Sequence, residues 1–313
     1  MSRLCTPRMP AAPRTLEVTP EHAGARLDAF LADGLRVSRA EARRLLERGA
    51  VEVDARAVGL ADKGAPLAAG QRVAVQRFAG RAHAEPIAQP ELALPVLARG
   101  AGWLAVAKPA GMPVHPLDPG ETGTALNFVA AKFPEIVGVG EAGLRSGVVH
   151  RLDVDTSGAL LFATEQGRWE QLRGGFRAHR VEKVYRAIVH GGLSGSGELA
   201  LPLAVAQHRP ARVRVVAAGD PRSRHTRMTW RALERLRDAT LVEARPATGF
   251  LHQIRASFAH LGHPLVGDSA YGAPASPHAK RHLLHAAYVA YRDVEARCPD
   301  AEDFAAALEA FAP

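Results

Sequence analysis

Cysteine is nearly absent from this chain: its 313 residues include two, Cys5 and Cys298, near opposite ends. That argues against a disulfide framework and for a reducing compartment, so a cytoplasmic location is expected. No apolar run approaches the roughly 20 residues that span a bilayer, so neither a transmembrane helix nor a membrane partner is expected. The basic first dozen residues are not followed by an apolar segment and a small-residue cleavage site, and do not read as a secretion signal. There is no Gly-x-x-x-x-Gly-Lys-Ser/Thr loop to cradle a nucleoside triphosphate. Gly267-Asp268-Ser269-Ala270-Tyr271 misses the nucleophile-elbow pattern at its last position. His252, His260 and His263 have neither a thiolate pair nor a His-Glu-x-x-His frame around them, so no metal is expected, and no cofactor.

What is present is a real core and positive charge. Apolar residues make up 47% of the chain and charged residues 23%, a globular balance over a length that allows two domains. The net charge of +8 favours a polyanionic partner, nucleic acid before membrane surface. A GC-rich genome that writes arginine for lysine would explain part of that composition, so charge informs mainly where it clusters.

Residues 1–14 lack periodicity and read as a disordered arm. Arg26 to Ala32 has helical spacing, and Ser38-Arg39-Ala40-Glu41 is a capping box that opens a basic helix running to Arg48 and stopping at Gly49. Arg39 and Arg43, and likewise Arg44 and Arg48, stack four apart along that helix. Val51–Asp54 and Gln71–Val75 alternate as strands. Asp54-Ala55 stands where an Asn-Gly turn would be tightest, which predicts a looser hairpin. Two helices, the second basic, and a small hairpin array over residues 15–78 resemble the S4 RNA-binding domain. Residues 79–92 read as a linker to a catalytic domain over 93–313. There, Trp103–Ala107 reads as a strand, Thr124–Phe133 as a helix capped by Thr124, and 165–180 as a helix weakened by Gly174-Gly175. Tyr185 falls on an alternating strand, and Gln253–Leu261 reads as a helix with His252 and Arg255 at its start. The stretch 207–237 is dense in arginine (Arg209, Arg212, Arg214, Arg222, Arg224, Arg227, Arg231, Arg235 and Arg237). It is either a mixed-charge surface hairpin or, as preferred here, a surface for an RNA backbone.

The chain is organised around Ser146-Gly147-Val148-Val149-His150-Arg151-Leu152-Asp153-Val154-Asp155-Thr156-Ser157-Gly158, which runs into Ala159–Ala163. Apolar runs around a polar Thr-Ser-Gly segment read as strand, tight turn, strand. A carboxylate held by backbone on both sides can project into a cleft as a positioned nucleophile. On local chemistry alone, an Asp-Thr-Ser turn with an Arg151–Asp153 surface ion pair is the favoured reading, because polar turns between strands are common.

His150-Arg151-Leu152-Asp153-x-x-Thr156-Ser157-Gly158 resembles the signature of the RluA-type pseudouridine synthases. Four further blocks resemble that family in the same order: Leu104–Pro116 with Lys108-Pro109, Lys183–Gly191 with Tyr185, Thr248–Arg255, and His263–Asp268. Together they cover the chain from about residue 90 to its end. The resemblance implies an α+β fold, with a mixed, mainly antiparallel sheet and flanking helices. It implies isomerisation of uridine in structured RNA, with Asp153 as nucleophile, Tyr185 stacking on the flipped base and Arg255 holding Asp153 ionised. Whether the aspartate attacks the sugar C1′ or assists a glycal intermediate stays open.

Arg151, His150, Thr156, His252 and Gln253 are the expected substrate contacts, although a simple ion pair for Arg151 also stays open. Arg39, Arg43, Arg44, Arg48 and Lys108 are the expected RNA contacts. The resemblance implies large-subunit ribosomal RNA as the substrate, since family members with this two-domain layout mostly act there, and a monomer is expected. The rivals are a tRNA-directed synthase and a non-catalytic RNA-binding or ribosome-assembly protein. The family usually carries a basic residue where Phe250 stands, which puts a phosphate contact there in doubt.

Overall fold

The computed structural model describes residues 14–76, 84–208 and 210–313. The expected arm, but for Arg14, lies outside them, as do residues 79–83 of the expected linker. The chain divides into two units, Met1–Ala84 and Glu85–Pro313.

The first unit holds a four-stranded antiparallel sheet in the order β1 (Arg14–Glu17), β4 (Arg72–Val75), β2 (Val51–Val53), β3 (Arg56–Val58). It packs with α1 (Leu27–Leu35) and α2 (Arg39–Glu47) around Leu27, Leu31, Leu46, Val51 and Val73. Ser38 caps α2 as its sequence predicts, its hydroxyl accepting from the Glu41 amide at 3.2 Å. The β2–β3 hairpin is tighter than expected: Val53 pairs with Arg56, and both intervening residues, Asp54 and Ala55, take positive φ (51° and 65°). Asp54 anchors that turn by accepting from the Arg72 amide and the Gln71 side chain, doing with its carboxylate what a glycine does by freedom.

The second unit is α+β. A mixed ten-stranded sheet runs β10 (Ala211–Val215), β9 (Ser196–His208), β11 (Arg224–Leu236), β12 (Ala239–Pro246), β8 (Glu182–His190), β13 (Leu284–Tyr291), β7 (Ser157–Ala163), β6 (Trp103–Lys108), β5 (Val96–Gly100), with β14 (Val294–Arg297) paired to β13. All pairings are antiparallel except β13 with β7. β7 is buried throughout because it is covered on both faces, which is why it reads as an unbroken apolar run. Leu160 and Phe162 face α3 (Ala125–Lys132), while Leu161 and Ala163 share a cluster with Leu172 of α4 (Gln166–Arg177). Farther along, α5 (Gln253–His260) packs Ile254 and Phe258 on Ala187, Val189 and Val242, and α6 (Glu302–Ala310) packs Phe304 on the Ile188 side.

α4 passes through Gly174-Gly175 unbroken. Gly175 lies under the Tyr291 ring, where a Cβ would approach to 2.8 Å, so its smallness serves packing. Gly158 has φ +124°, and a Cβ there would sit 2.3 Å from the Ala286 carbonyl; the parallel β7–β13 contact requires glycine.

Two further expectations are corrected. Val148–Val149 is no strand: it is an irregular extended segment tied by an isolated bridge from Val148 to Phe162. Of the expected linker, residues from Glu85 onward belong to the second unit. The Ile87 carbonyl accepts from the Asn127 side chain, and Gln89 bonds both Asn127 and Gly123, so these residues are fastened to α3.

Candidate active site

Asp153 sits in the turn that feeds β7, its side chain 26% exposed at a cavity of about 820 Å³. Two cations fix the backbone of that turn from behind. The Lys108 ammonium donates to the carbonyls of Pro109, Met112 and Val154, each at 2.8 Å. The Arg281 guanidinium donates to the Asp155 carbonyl at 2.9 Å and the Ser157 hydroxyl at 3.1 Å, while Asp303 of α6 holds it through two bonds. Lys108 was expected at RNA. It is instead 1% exposed with all three protons spent on backbone, and burial, helped by nearby Arg281, pushes it down to about 7.

Arg255, on the first turn of α5, makes two 2.7 Å bonds to Asp268, which is buried. A third nitrogen reaches Asp153 Oδ2 at 3.4 Å. Burial opposes the guanidinium charge, but Asp268 and then Asp153 outweigh it and hold the group protonated above its usual range. Arg255 therefore answers chiefly to Asp268 and only secondarily to Asp153. His252 precedes α5 in the left-handed region (φ 50°), which aims its Nε2 at Asp153 Oδ2, 3.7 Å away. Its Nδ1 lies 3.0 Å from the Tyr271 hydroxyl, which accepts from the Val213 amide and so has its own proton to give. That assignment leaves the Nε2 proton facing the carboxylate.

Tyr185 projects from β8 into the same cavity; burial and the charge of Asp153 raise its phenol, which stays protonated at neutral pH. Arg151 is exposed on the cavity rim, with no bond to Asp153 among the described residues.

Three expected substrate contacts line the cavity and are also bonded within the protein. His150 accepts from the Leu161 amide at 2.9 Å and stacks on Phe176, and burial pushes it down to about 3, so it is a neutral support that also lines the cavity. Thr156 bonds His282 and is 2% exposed. Gln253 accepts from the Thr248 hydroxyl and the Phe250 amide and donates to the Arg227 carbonyl, which pins the 248–252 loop.

Of the helix arginines, Arg43 is bound to Asp28, a fully buried carboxylate shared with Arg26. Arg39 and Arg48 are exposed and Arg44 is half-buried. In the arginine-dense stretch, Arg222, Arg227 and Arg231 pair with Asp220, Glu198 and Glu243, and Arg212 donates to the Ala270 carbonyl. Those three pairs fit the mixed-charge reading; Arg209 lies outside the described residues. Phe250 lines the cavity and packs against the Leu203–Val213–Ala256 cluster.

Sequence reasoning assigned no role to Asp268, Tyr271, Lys183 or Arg281. The first two were in view as part of Gly267–Tyr271. Lys183 was legible as well, since two residues apart on a strand places it on the face of Tyr185. Among the described residues no His, Cys, Asp or Glu group could hold a metal ion, and no helix is long and apolar enough to cross a membrane.

A carboxylate, a protonated phenol and a guanidinium around a cavity rimmed by further cations define an enzyme site for a polyanionic substrate. A family model described as RNA pseudouridylate synthase matches residues 102–260. An uncharacterized RNA pseudouridine synthase of Chloroflexus aurantiacus is 36% identical over 89% of this chain and 85% of its own. A ribosomal large subunit pseudouridine synthase D of Pseudomonas aeruginosa is 33% identical over 82% and 71%. Human RNA pseudouridylate synthase domain containing 4 shares the fold, with a TM-score of 0.56 at 19% identity over 68% of this chain and 91% of its own. The chain belongs to the RNA pseudouridylate synthase family. Its activity is accordingly the isomerisation of uridine in RNA.

Proposed function

We propose that this cytoplasmic enzyme isomerises uridines of large-subunit ribosomal RNA, with Asp153 as nucleophile. The observation that carries the catalytic part is the partly exposed Asp153 carboxylate, fixed at a cavity mouth between Arg255 and His252 on a turn clamped by Lys108 and Arg281. The reaction breaks N1–C1′, turns the uracil and forms C5–C1′; the C5 proton leaves and N1 gains one. A carboxylate divides that change into two easier steps, by attack at C1′ or through a glycal. Tyr185 offers its ring to the flipped base, Arg255 orients Asp153, and Arg151 at the rim meets the everted strand. The ribosomal assignment is supported by relatives named for the large ribosomal subunit. The N-terminal unit, with an antiparallel sheet, two helices and Arg39 and Arg48 exposed, is proposed as an S4-like module that grips RNA phosphates.

The test is tritium release from RNA labelled at uridine C5, together with pseudouridine mapping in a deletion strain. Release from large-subunit RNA and loss of large-subunit sites in the deletion are expected. Loss of tRNA sites alone would move the assignment to the tRNA-directed reading, and binding without release would favour a non-catalytic protein.

A further inference from the structure

Lys183 is a part-buried cation of the cavity that meets no carboxylate among the described residues. It projects from β8 two residues before Tyr185, so both side chains face the cavity. Its single hydrogen bond among the described residues goes to the Thr248 carbonyl at 2.9 Å, which leaves two of its three protons unused. The carboxylates lining the cavity, Asp153 and Glu141, are taken: the first by Arg255, the second by Arg145 and Arg173. Burial alone, with no opposing charge, pushes the ammonium down to about 8. The loop it touches, Thr248-Gly249-Phe250-Leu251, brings no charge of its own.

A part-buried ammonium facing open space without a counter-ion is costly unless an anion arrives with the ligand. The anion of this substrate is the phosphodiester. Its non-bridging oxygens suit a lysine as a point charge, and the distance from the base-stacking ring is one alternate position along a strand.

We propose that Lys183 is a phosphate subsite, holding a non-bridging oxygen of one of the two phosphodiesters that flank the target uridine. This rests on the pseudouridine synthase reading and adds a substrate-binding residue to it. The subsite anchors the nucleotide while Tyr185 takes the base, so its loss weakens binding more than the chemical step.

The test pairs K183Q, whose amide can still donate to the Thr248 carbonyl, with RNA hairpins carrying a mapped target uridine. In each hairpin one flanking linkage is made neutral as a methylphosphonate, and kcat and KM are read by tritium release. On native RNA, K183Q raises KM about tenfold with kcat little changed. Neutralising one of the two linkages brings wild type to the same KM and costs K183Q nothing more; neutralising the other affects both proteins equally. Penalties that multiply at both linkages, or a K183Q indistinguishable from wild type, would overturn the subsite. Should K183Q lose its cooperative thermal transition, K183R serves: it must keep the linkage dependence of wild type, and losing it overturns the proposal equally. Absence of release from native RNA by the wild-type enzyme would sink the enzymatic reading instead, a result distinct from any of these.

Discussion

The cavity floor and the outer face of β11 and β12 are built from the same two side chains, arginine and carboxylate, with opposite consequences. On the strands, Arg231 and Arg245 share Glu243, and Arg245 also reaches Glu182; these guanidinium side chains are 59% and 44% exposed. Glu243 is itself 13% exposed, but its partners open to water, and such pairs contribute about 1 kcal/mol or less each. On the floor, Arg255 is 9% exposed and Asp268 1%. There a charge that loses its partner is stranded away from water, and the cost is about 3–5 kcal/mol. Charge on the strands is therefore partly offset by exposed neighbours and fixes nothing in the cavity, whereas sparse charge on the floor is what positions Asp153.

The sharpest way to break this contrast is D268N. It should remove several kcal/mol of stability in urea titrations, and tritium release should collapse even where the protein is folded, because Arg255 then swings toward its remaining acid, Asp153. A D268N enzyme of normal stability and activity would show that the floor pair is no different from the surface ladder.

A smaller effect is expected from the neutral imidazoles. His150 titrates at about 3 in the folded chain and His282 at about 2, against 6.5 when free. As pH falls through this window the unfolded chain takes up protons first. The stability is therefore complete above pH 6.5 and is lost progressively toward pH 3. H150Q, whose amide can still accept from Leu161, should flatten the fall of the melting temperature between pH 6.5 and 5; an unchanged slope would contradict the assignment.

The smallest effect belongs to R231A, which should shift the urea midpoint by an amount worth under about 1 kcal/mol and leave tritium release intact. A loss of RNA binding in R231A would restore the strand face as a contact surface.

How far the sequence discloses this arrangement depends on the reach of each signal. Helix α2 and its Ser38 cap, the buried strand β7 and helix α5 were legible because periodicity and capping are local. Asp153, Tyr185 and Arg255 were legible as a set through the ordered motifs, which stand in for proximity. What stayed hidden is partnership across the chain. Nothing near Lys108 announces that Val154 accepts its proton, nor near Arg281 that Asp155 and Asp303 surround it. The same blindness hid the bonds that His150, Thr156 and Gln253 make within the protein, since a motif position does not say whether a polar group is already satisfied. The Asp54-Ala55 turn was misjudged for the same reason: its anchor, Arg72, lies 18 residues downstream.

The central claim is that Asp153 carries the reaction, and single-turnover tritium release by D153N, with RNA affinity measured on the same preparation, tests it most directly. Release should fall at least about a thousandfold, as expected when a covalent nucleophile is removed, while the affinity for RNA stays within a few-fold of wild type. Release by D153N at a rate near that of wild type would contradict the account.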